Sequence, residues 1–179
     1  MKKISKRKIN KVMLMTPKYT LFEKDVRRCV TPLGLTYLGG YLEKEGYEIE
    51  ILDIANEGYH NSKLDGDFVT YGLDDNEVEK RIEKFQPDVV GVSCIFSAQA
   101  ENMKNALKLA KKTNKDVITL AGGSHPTYAL EEMLNLDCLD FVIIGEGELP
   151  TSQLLNVLNN KKELSEINGL AGKINGEKF

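Results

Sequence analysis

Five short and nearly uninterrupted apolar runs limit this chain to few architectures. They fall at residues 12–15, 49–54, 89–93, 117–121 and 141–145, and Val and Ile dominate most of them. Each is too brief for a helix, and β-branched runs bounded by Gly, Pro or charge suit strands covered on both faces. Between them lie stripes at helical spacing. Leu35, Leu38 and Leu42 form one, stopped at Gly46; Val78, Ile82 and Phe85 form another, which ends before Pro87. Met103, Ala106, Leu107 and Ala110 make a third, Leu130, Met133 and Leu134 a short fourth, and Thr151, Leu154, Leu155 and Leu158 a fifth. Strand and helix alternating at this pitch imply right-handed βαβ crossovers and a parallel sheet, an α/β fold.

The length of 179 residues suits one domain, with hydrophobic residues at 41% and charged ones at 28%. A formal charge of −3 gives no bulk attraction to nucleic acid or to an anionic membrane. Residues 1–10 differ, because Lys2, Lys3, Lys6, Arg7 and Lys8 cluster there, with Lys11 just beyond. They read as a solvated basic arm before the first strand, contact with RNA or lipid headgroups being the lesser reading. The first apolar run is too short for a signal peptide or a membrane span, so a cytoplasmic protein with no membrane partner is expected. Cys29, Cys94 and Cys138 are odd in number and widely spaced, which argues against disulfides. No CxxC or CxxxC pair offers a zinc or cluster site, and no metal ligands are assigned.

Two segments break the rhythm. Residues 56–75 are rich in Gly, Asp, Asn and Tyr without periodicity and read as a long functional or mobile loop. Near the end, Asn175 and Gly176 sit between short runs, a hairpin signature, and the chain stops at Phe179 where the second strand should begin. The expected organisation is therefore an arm at 1–10 and a domain at 11–160. Residues 161–179 would start a hairpin and linker in a chain cut short.

In an open parallel sheet, ligands bind beyond the carboxyl ends of the strands. The first strand is followed by Thr16, Pro17, Lys18 and Tyr19, then by a stretch reaching Thr31, Pro32, Leu33 and Gly34. After the third come Ser93, Cys94, Ile95, Phe96, Ser97, Ala98 and Gln99; after the fourth, Gly122, Gly123, Ser124, His125, Pro126 and Thr127; after the fifth, Gly145, Glu146, Gly147 and Glu148. Small residues let a flat, bulky ligand approach the backbone, and hydroxyls and amides can bond to its polar periphery. There is no GxGxxG after the first strand and no GxxxxGK[ST], so neither dinucleotide nor nucleoside triphosphate is indicated. A flavin phosphate loop should follow the first strand, whereas the hydroxyl-rich loop here follows the third.

These motifs resemble those of cobalamin-binding domains in radical S-adenosylmethionine proteins. Ser93 to Ile95 is similar to the SxL element, and Gly122-Gly123 to the GG element. The stretch from Pro32 to Glu43 resembles PLGLxYLxxYLE, and Tyr71-Gly72-Leu73 leading to Pro87 through Ser93 resembles YGL…PDVVGxS. Gly122 to Thr127 matches GGxHPT, and Gly145 to Glu148 matches GEGE; the likeness runs through residues 10–179 in the family's order. It implies a flavodoxin-like or Rossmann-like three-layer sandwich. The sheet would hold five parallel strands in the order 2-1-3-4-5, with a C-terminal β-hairpin extension. It also implies a module that carries cobalamin for methyl transfer or ring-forming chemistry. A [4Fe-4S] cluster and S-adenosylmethionine would sit in a C-terminal radical S-adenosylmethionine domain of the parent chain. The CxxxCxxC motif of that domain is absent through Phe179, so no catalytic residue is assigned and no catalysis is expected of this segment alone.

One departure matters. Cobalamin-dependent mutases and methionine synthase carry DxHxxG after the first strand, and its His binds cobalt. Residues 16–21 here, from Thr16 to Leu21, contain no His. The resemblance therefore implies a base-off corrinoid with no protein imidazole beneath it. Its cofactor-binding residues would be Pro17, Tyr19, Leu33, Gly34, Ser93, Ile95, Ser97, Gln99, Gly122, Gly123, His125, Pro126, Gly145, Glu146 and Gly147. Blander roles stand beside these. The serines can be turn formers or caps, Gln99 a solvated first-turn residue, the Gly pair a tight turn, and His125 a satisfied loop histidine. Glu148 can cap the fifth helix, and Cys94 reads as a small core residue. The competing functions are a degenerate docking domain that binds no cobalamin, and a flavin or nucleotide carrier.

Overall fold

The structure is a computed structural model that describes residues 8–160, 164, 167–174 and 177–179. Its elements run β1 (Lys11–Thr16), β2 (Tyr19–Phe22), α1 (Leu33–Lys44), β3 (Glu48–Asp53), the single turn α2 (Ile54–Glu57), β4 (Ser62–Asp65), β5 (Phe68–Tyr71) and α3 (Asp75–Phe85). Then follow β6 (Val89–Ser93), α4 (Ala100–Thr113), β7 (Ile118–Gly122), α5 (Ser124–Tyr128), α6 (Leu130–Met133), β8 (Phe141–Ile143), α7 (Glu148–Asn160), β9 (Leu170–Ile174) and β10 (Glu177–Lys178).

Side-chain alternation along β1 explains why an apolar run without polar gaps is needed. Val12 and Leu14 face one way, into a core with Leu35 and Leu42 of α1 and Leu154, Leu155 and Leu158 of α7. Met13 and Met15 face the other way, into a core with Val78 and Ile82 of α3 and Met103 and Leu107 of α4. Both sheet faces are thus covered by helices, the arrangement that lets β1 do without polar positions. Helix boundaries follow local chemistry. Asp74 and Glu77 form a reciprocal capping box at the start of α3. Gln86 ends that helix in the left-handed region at φ 53°, just ahead of Pro87.

The large sheet has seven strands in the order β3-β1-β6-β7-β8-β9-β10. β3, β1, β6, β7 and β8 are mutually parallel, whereas β9 runs antiparallel to β8 and β10 antiparallel to β9. The terminal hairpin therefore extends the main sheet at the β8 edge. Its turn residues, Asn175 and Gly176, lie outside the described residues, as does most of the basic arm. At the opposite edge, β3 pairs only with β1 among the described residues and carries Glu48, which pairs with Lys11, and Glu50, gripped by Arg81.

The long loop expected at residues 56–75 is instead largely ordered. It begins with the end of α2 and contains the β4–β5 hairpin, turning at Gly66 with φ +58°. β5 pairs with β2 on its other side, making a second, three-stranded sheet in the order β2-β5-β4. Four-residue strands carry too little alternation to read as period two, and the partner β2 lies far away in sequence.

The amino ends of the main strands are closed by carboxylates and amides. Asp88 Oδ2 accepts the N–H groups of Asn10 (2.8 Å) and Lys11 (2.9 Å). Asp140 Oδ2 accepts from the Thr119 N–H at 2.9 Å, its hydroxyl at 3.1 Å, and Lys111 Nζ. The Asn159 side chain brackets Ile9, accepting from its N–H and donating to its carbonyl. Among the described residues, no helix is long and apolar enough to cross a membrane.

Candidate functional site

At the other end of the same strands the chemistry reverses. A cleft of about 160 Å³ opens where β6, β7 and β8 stop beneath α1 and α7. Its floor is Leu14, Gly91, Leu120 and Ile143; Leu35 and Leu38 of α1 and Thr151 of α7 make its walls. Ser93, Gly122, Gly123, Gly145, Glu146, Gly147 and Glu148 ring the rest, and Gly34 contributes from α1. Glycine decides the shape. A Cβ at Gly91 would stand 3.1 Å from Leu14 Cδ2, and one at Gly147 would meet Leu38 at 3.6 Å.

Gly123 has a different task. Its φ of +98° and the 2.8 Å that would separate a Cβ from the Cys94 carbonyl oxygen exclude other residues without a backbone shift. The loop after β7 thereby lies directly against the loop after β6. His125 reinforces the contact: its N–H donates to the Cys94 carbonyl at 3.1 Å, and its Nδ1 lies 3.0 Å from Ser97 Oγ. The Gly145 N–H reaches Thr127 Oγ1 at 3.3 Å, joining the loop after β8. Three strand ends thus form one connected rim.

Most polar groups here are satisfied, and one of the two exceptions lines the cleft. Among the described residues, two buried side-chain polar atoms lack a partner, His125 Nε2 and Thr151 Oγ1. Buried polar groups are normally paired, so each needs an explanation such as a ligand or a water. Cys94 needs none: it is buried, donates to the Phe96 carbonyl at 3.3 Å, and burial pushes its thiol up to about 11. It is a core thiol.

Of the residues singled out from sequence, Gly34, Ser93, Gly122, Gly123, Gly145, Glu146 and Gly147 come together around the cleft. Leu33 and Ile95 are exposed, Ser97 is held by His125, and His125 and Pro126 are buried in α5. Gln99 is committed elsewhere. Its Oε1 accepts from the Thr20 N–H and its Nε2 donates to the Thr20 carbonyl, both at 2.8 Å, so it pairs with β2 as another strand would. That explains its burial and corrects the reading of Gln99 as an amide offered to a ligand. Pro17 is buried, and Tyr19 starts β2 with its ring 6.0 Å from Tyr71 and 6.5 Å from Phe96; burial raises its hydroxyl pKa. The end of β1 adds no residue to the cleft, since Thr16 donates to Asp53 and Lys18 pairs with Asp75.

The apolar floor and walls were not among the expected site residues. Gly91 had a readable cue, an isolated Gly inside a strand, which often marks close backbone approach. Thr151 had a fainter one, a lone hydroxyl at the head of a leucine stripe. As to fit, glycine-lined strand ends, an apolar slot and an unpaired hydroxyl in its wall suit a flat, largely apolar group with an acceptor.

Comparison with known proteins agrees with this chemistry. Residues 24–155 match the family model described as B12 binding domain. The chain is 44% identical over 168 residues to cytidylyl-2-hydroxyethylphosphonate methyltransferase of Streptomyces wedmorensis, a match that covers 92% of this chain and 32% of that one. It is 26% identical to the anaerobic magnesium-protoporphyrin IX monomethyl ester cyclase of Rubrivivax gelatinosus, covering 90% of this chain and 27% of that one. Its fold is like that of the radical S-adenosylmethionine methyltransferase TsrM from Kitasatospora setae, solved with cobalamin and a [4Fe-4S] cluster bound. There the TM-score is 0.73 at 17% identity, over 95% of this chain and 28% of that one. The chain spans about a third of the length of the curated relatives it matches.

Proposed function

Because the chain belongs to the B12-binding domain family, we propose that it carries cobalamin at the carboxyl ends of β6, β7 and β8. The nucleotide tail enters the cleft and the corrin rests across its mouth. The observation that carries this reading is the cleft itself, apolar inside, glycine-lined at the rim and of about 160 Å³. An apolar cavity of about 150 Å³ accommodates one benzene ring, so the slot suits a flat base inserted edgewise. Gly122, Gly123, Gly145 and Gly147 let the tail's backbone pass close to the peptide. Ser93, Ser97, His125 and Glu146 meet its polar groups and the corrin amides, and Pro17, Tyr19, Leu33, Gly34, Ile95 and Pro126 border the macrocycle.

The corrinoid is held base-off, without a histidine on its lower face. The two histidines of the chain are His60, beside Tyr59, and His125, tied to Ser97. Neither follows β1, where residues 16–21 turn into β2. When bound, cobalamin supplies a cobalt centre able to carry a methyl group. This chain's residues bind and orient it and shield its lower face. The catalytic steps belong to a radical S-adenosylmethionine domain of a longer protein, working in the cytoplasm with its own [4Fe-4S] cluster. Methyl transfer is the reading favoured by the phosphonate methyltransferase likeness, with ring formation second.

The test is titration of the 179-residue chain with hydroxocobalamin and with Co(II) cobalamin, followed by desalting, visible spectroscopy and electron paramagnetic resonance. Retained corrinoid with a base-off spectrum and no nitrogen superhyperfine splitting is expected. Nitrogen splitting overturns the base-off assignment, and failure to retain any corrinoid overturns the carrier reading.

A further inference from the structure

Thr151 is unexplained by the packing of α7. It heads the inward stripe continued by Leu154, Leu155 and Leu158. The residue is 1% exposed and its Oγ1 has no partner, although its own N–H donates to the Gly147 carbonyl at 3.1 Å. Helical threonines commonly turn the hydroxyl back onto the preceding turn, and this one does not. It stands instead in the wall of the cleft, opposite a floor of Leu14, Leu120 and Ile143. A hydroxyl can donate and accept, and leaving it unmatched in an apolar setting is unfavourable.

We propose that Thr151 reads the lower base of the corrinoid: its hydroxyl donates a hydrogen bond to an unprotonated ring nitrogen of the tail's heteroaromatic base. The inference rests on the tail-in-cleft reading above and adds a specificity to it. The cleft has the volume of a small ring system and an apolar lining, so the flat base is the part that enters. The charged phosphate and the ribose remain at the glycine-rich mouth. A benzimidazole or purine released from cobalt presents a free ring-nitrogen acceptor, whereas a phenolic base has none. A site built around one hydrogen bond rejects the analogue that lacks it more strongly than shape alone does.

Three probes separate the possibilities: cobalamin, a p-cresolyl cobamide whose base has no ring nitrogen, and cobinamide, which lacks the nucleotide. Affinities are measured by absorbance titration for the wild type and for Thr151→Val, Thr151→Ala and Thr151→Ser. Val and Ala are expected to weaken cobalamin binding about tenfold, equivalent to about 1.4 kcal/mol. Binding of p-cresolyl cobamide and cobinamide should stay within about twofold, and Ser should retain wild-type affinity for cobalamin. Equal weakening for all three corrinoids, or no change in any, overturns the assignment while the carrier reading stands. A wild type that binds none of the three overturns both.

Discussion

The two ends of the parallel sheet are built from opposite materials. At the amino ends, Asp88, Asp140 and Asn159 close the strand starts with side chains whose hydrogen bonds are answered within the protein. At the carboxyl ends, the same strands finish in Ser93, Gly122 and Ile143 beside Gly145 and Gly147, around an open cleft. The two unpaired buried side-chain atoms among the described residues, in His125 and Thr151, both lie on elements that begin at those ends. One end specifies the fold and the other withholds side chains so that a ligand can enter, as expected where sites sit beyond the carboxyl edge.

The contrast can be broken experimentally. The largest effect is expected from Asp140→Ala, which leaves the Thr119 N–H without its acceptor and takes the carboxylate from Lys111, while the Thr119 hydroxyl keeps the Cys138 carbonyl and Lys111 the Val117 carbonyl. We expect a loss of about 3 kcal/mol from the denaturant midpoint, with corrinoid affinity unchanged within about twofold. A large affinity change would mean that the two ends are not separable.

Next comes Cys94, which follows β6 at the carboxyl end but is buried in the core beneath α3 and α4. Burial pushes its thiol up from an ordinary 9.0 to about 11. The folded state therefore keeps its proton longer than the unfolded state, and stability falls as pH rises from 9 towards 11. The wild type should lose on the order of 2 kcal/mol across that window relative to Cys94→Ala, read from urea melts at each pH. Identical pH profiles would show that this thiol is not sealed.

The smallest stability effect sharpens the contrast from the ligand side. A Cβ at Gly122 meets only Ile143, at 3.7 Å and beyond, so Gly122→Val fills cleft space without a clash at the strand. Stability should change by less than about 1 kcal/mol, while cobalamin affinity falls at least about tenfold. Unchanged affinity would place the ligand elsewhere.

Legibility in the sequence follows the same division. The five parallel strands and their helices announce themselves because two-sided burial forces continuous apolar runs, and one-sided burial forces three- and four-residue stripes. The glycines and Ser93 at the cleft were readable because strand ends are where such residues matter. The small sheet was not, since β2, β4 and β5 have four residues each and their pairing is fixed by tertiary contact. Gln99 was misread because an amide clamping a distant backbone leaves no periodic trace. Thr151 hid in a stripe that looks purely structural until its hydroxyl is seen to lack a partner.

The charge on β3 has a consequence for how this protein behaves in a crowded solution. Among the described residues its outer edge is unpaired by any strand, a ready template for a second chain. An incoming strand would have to lay its side chains beside Glu48 and Glu50, carboxylates already matched to Lys11 and Arg81. Replacing both with valine would turn a guarded edge into an adhesive one. The fold would be kept, and the cost would appear as fibrils or precipitate.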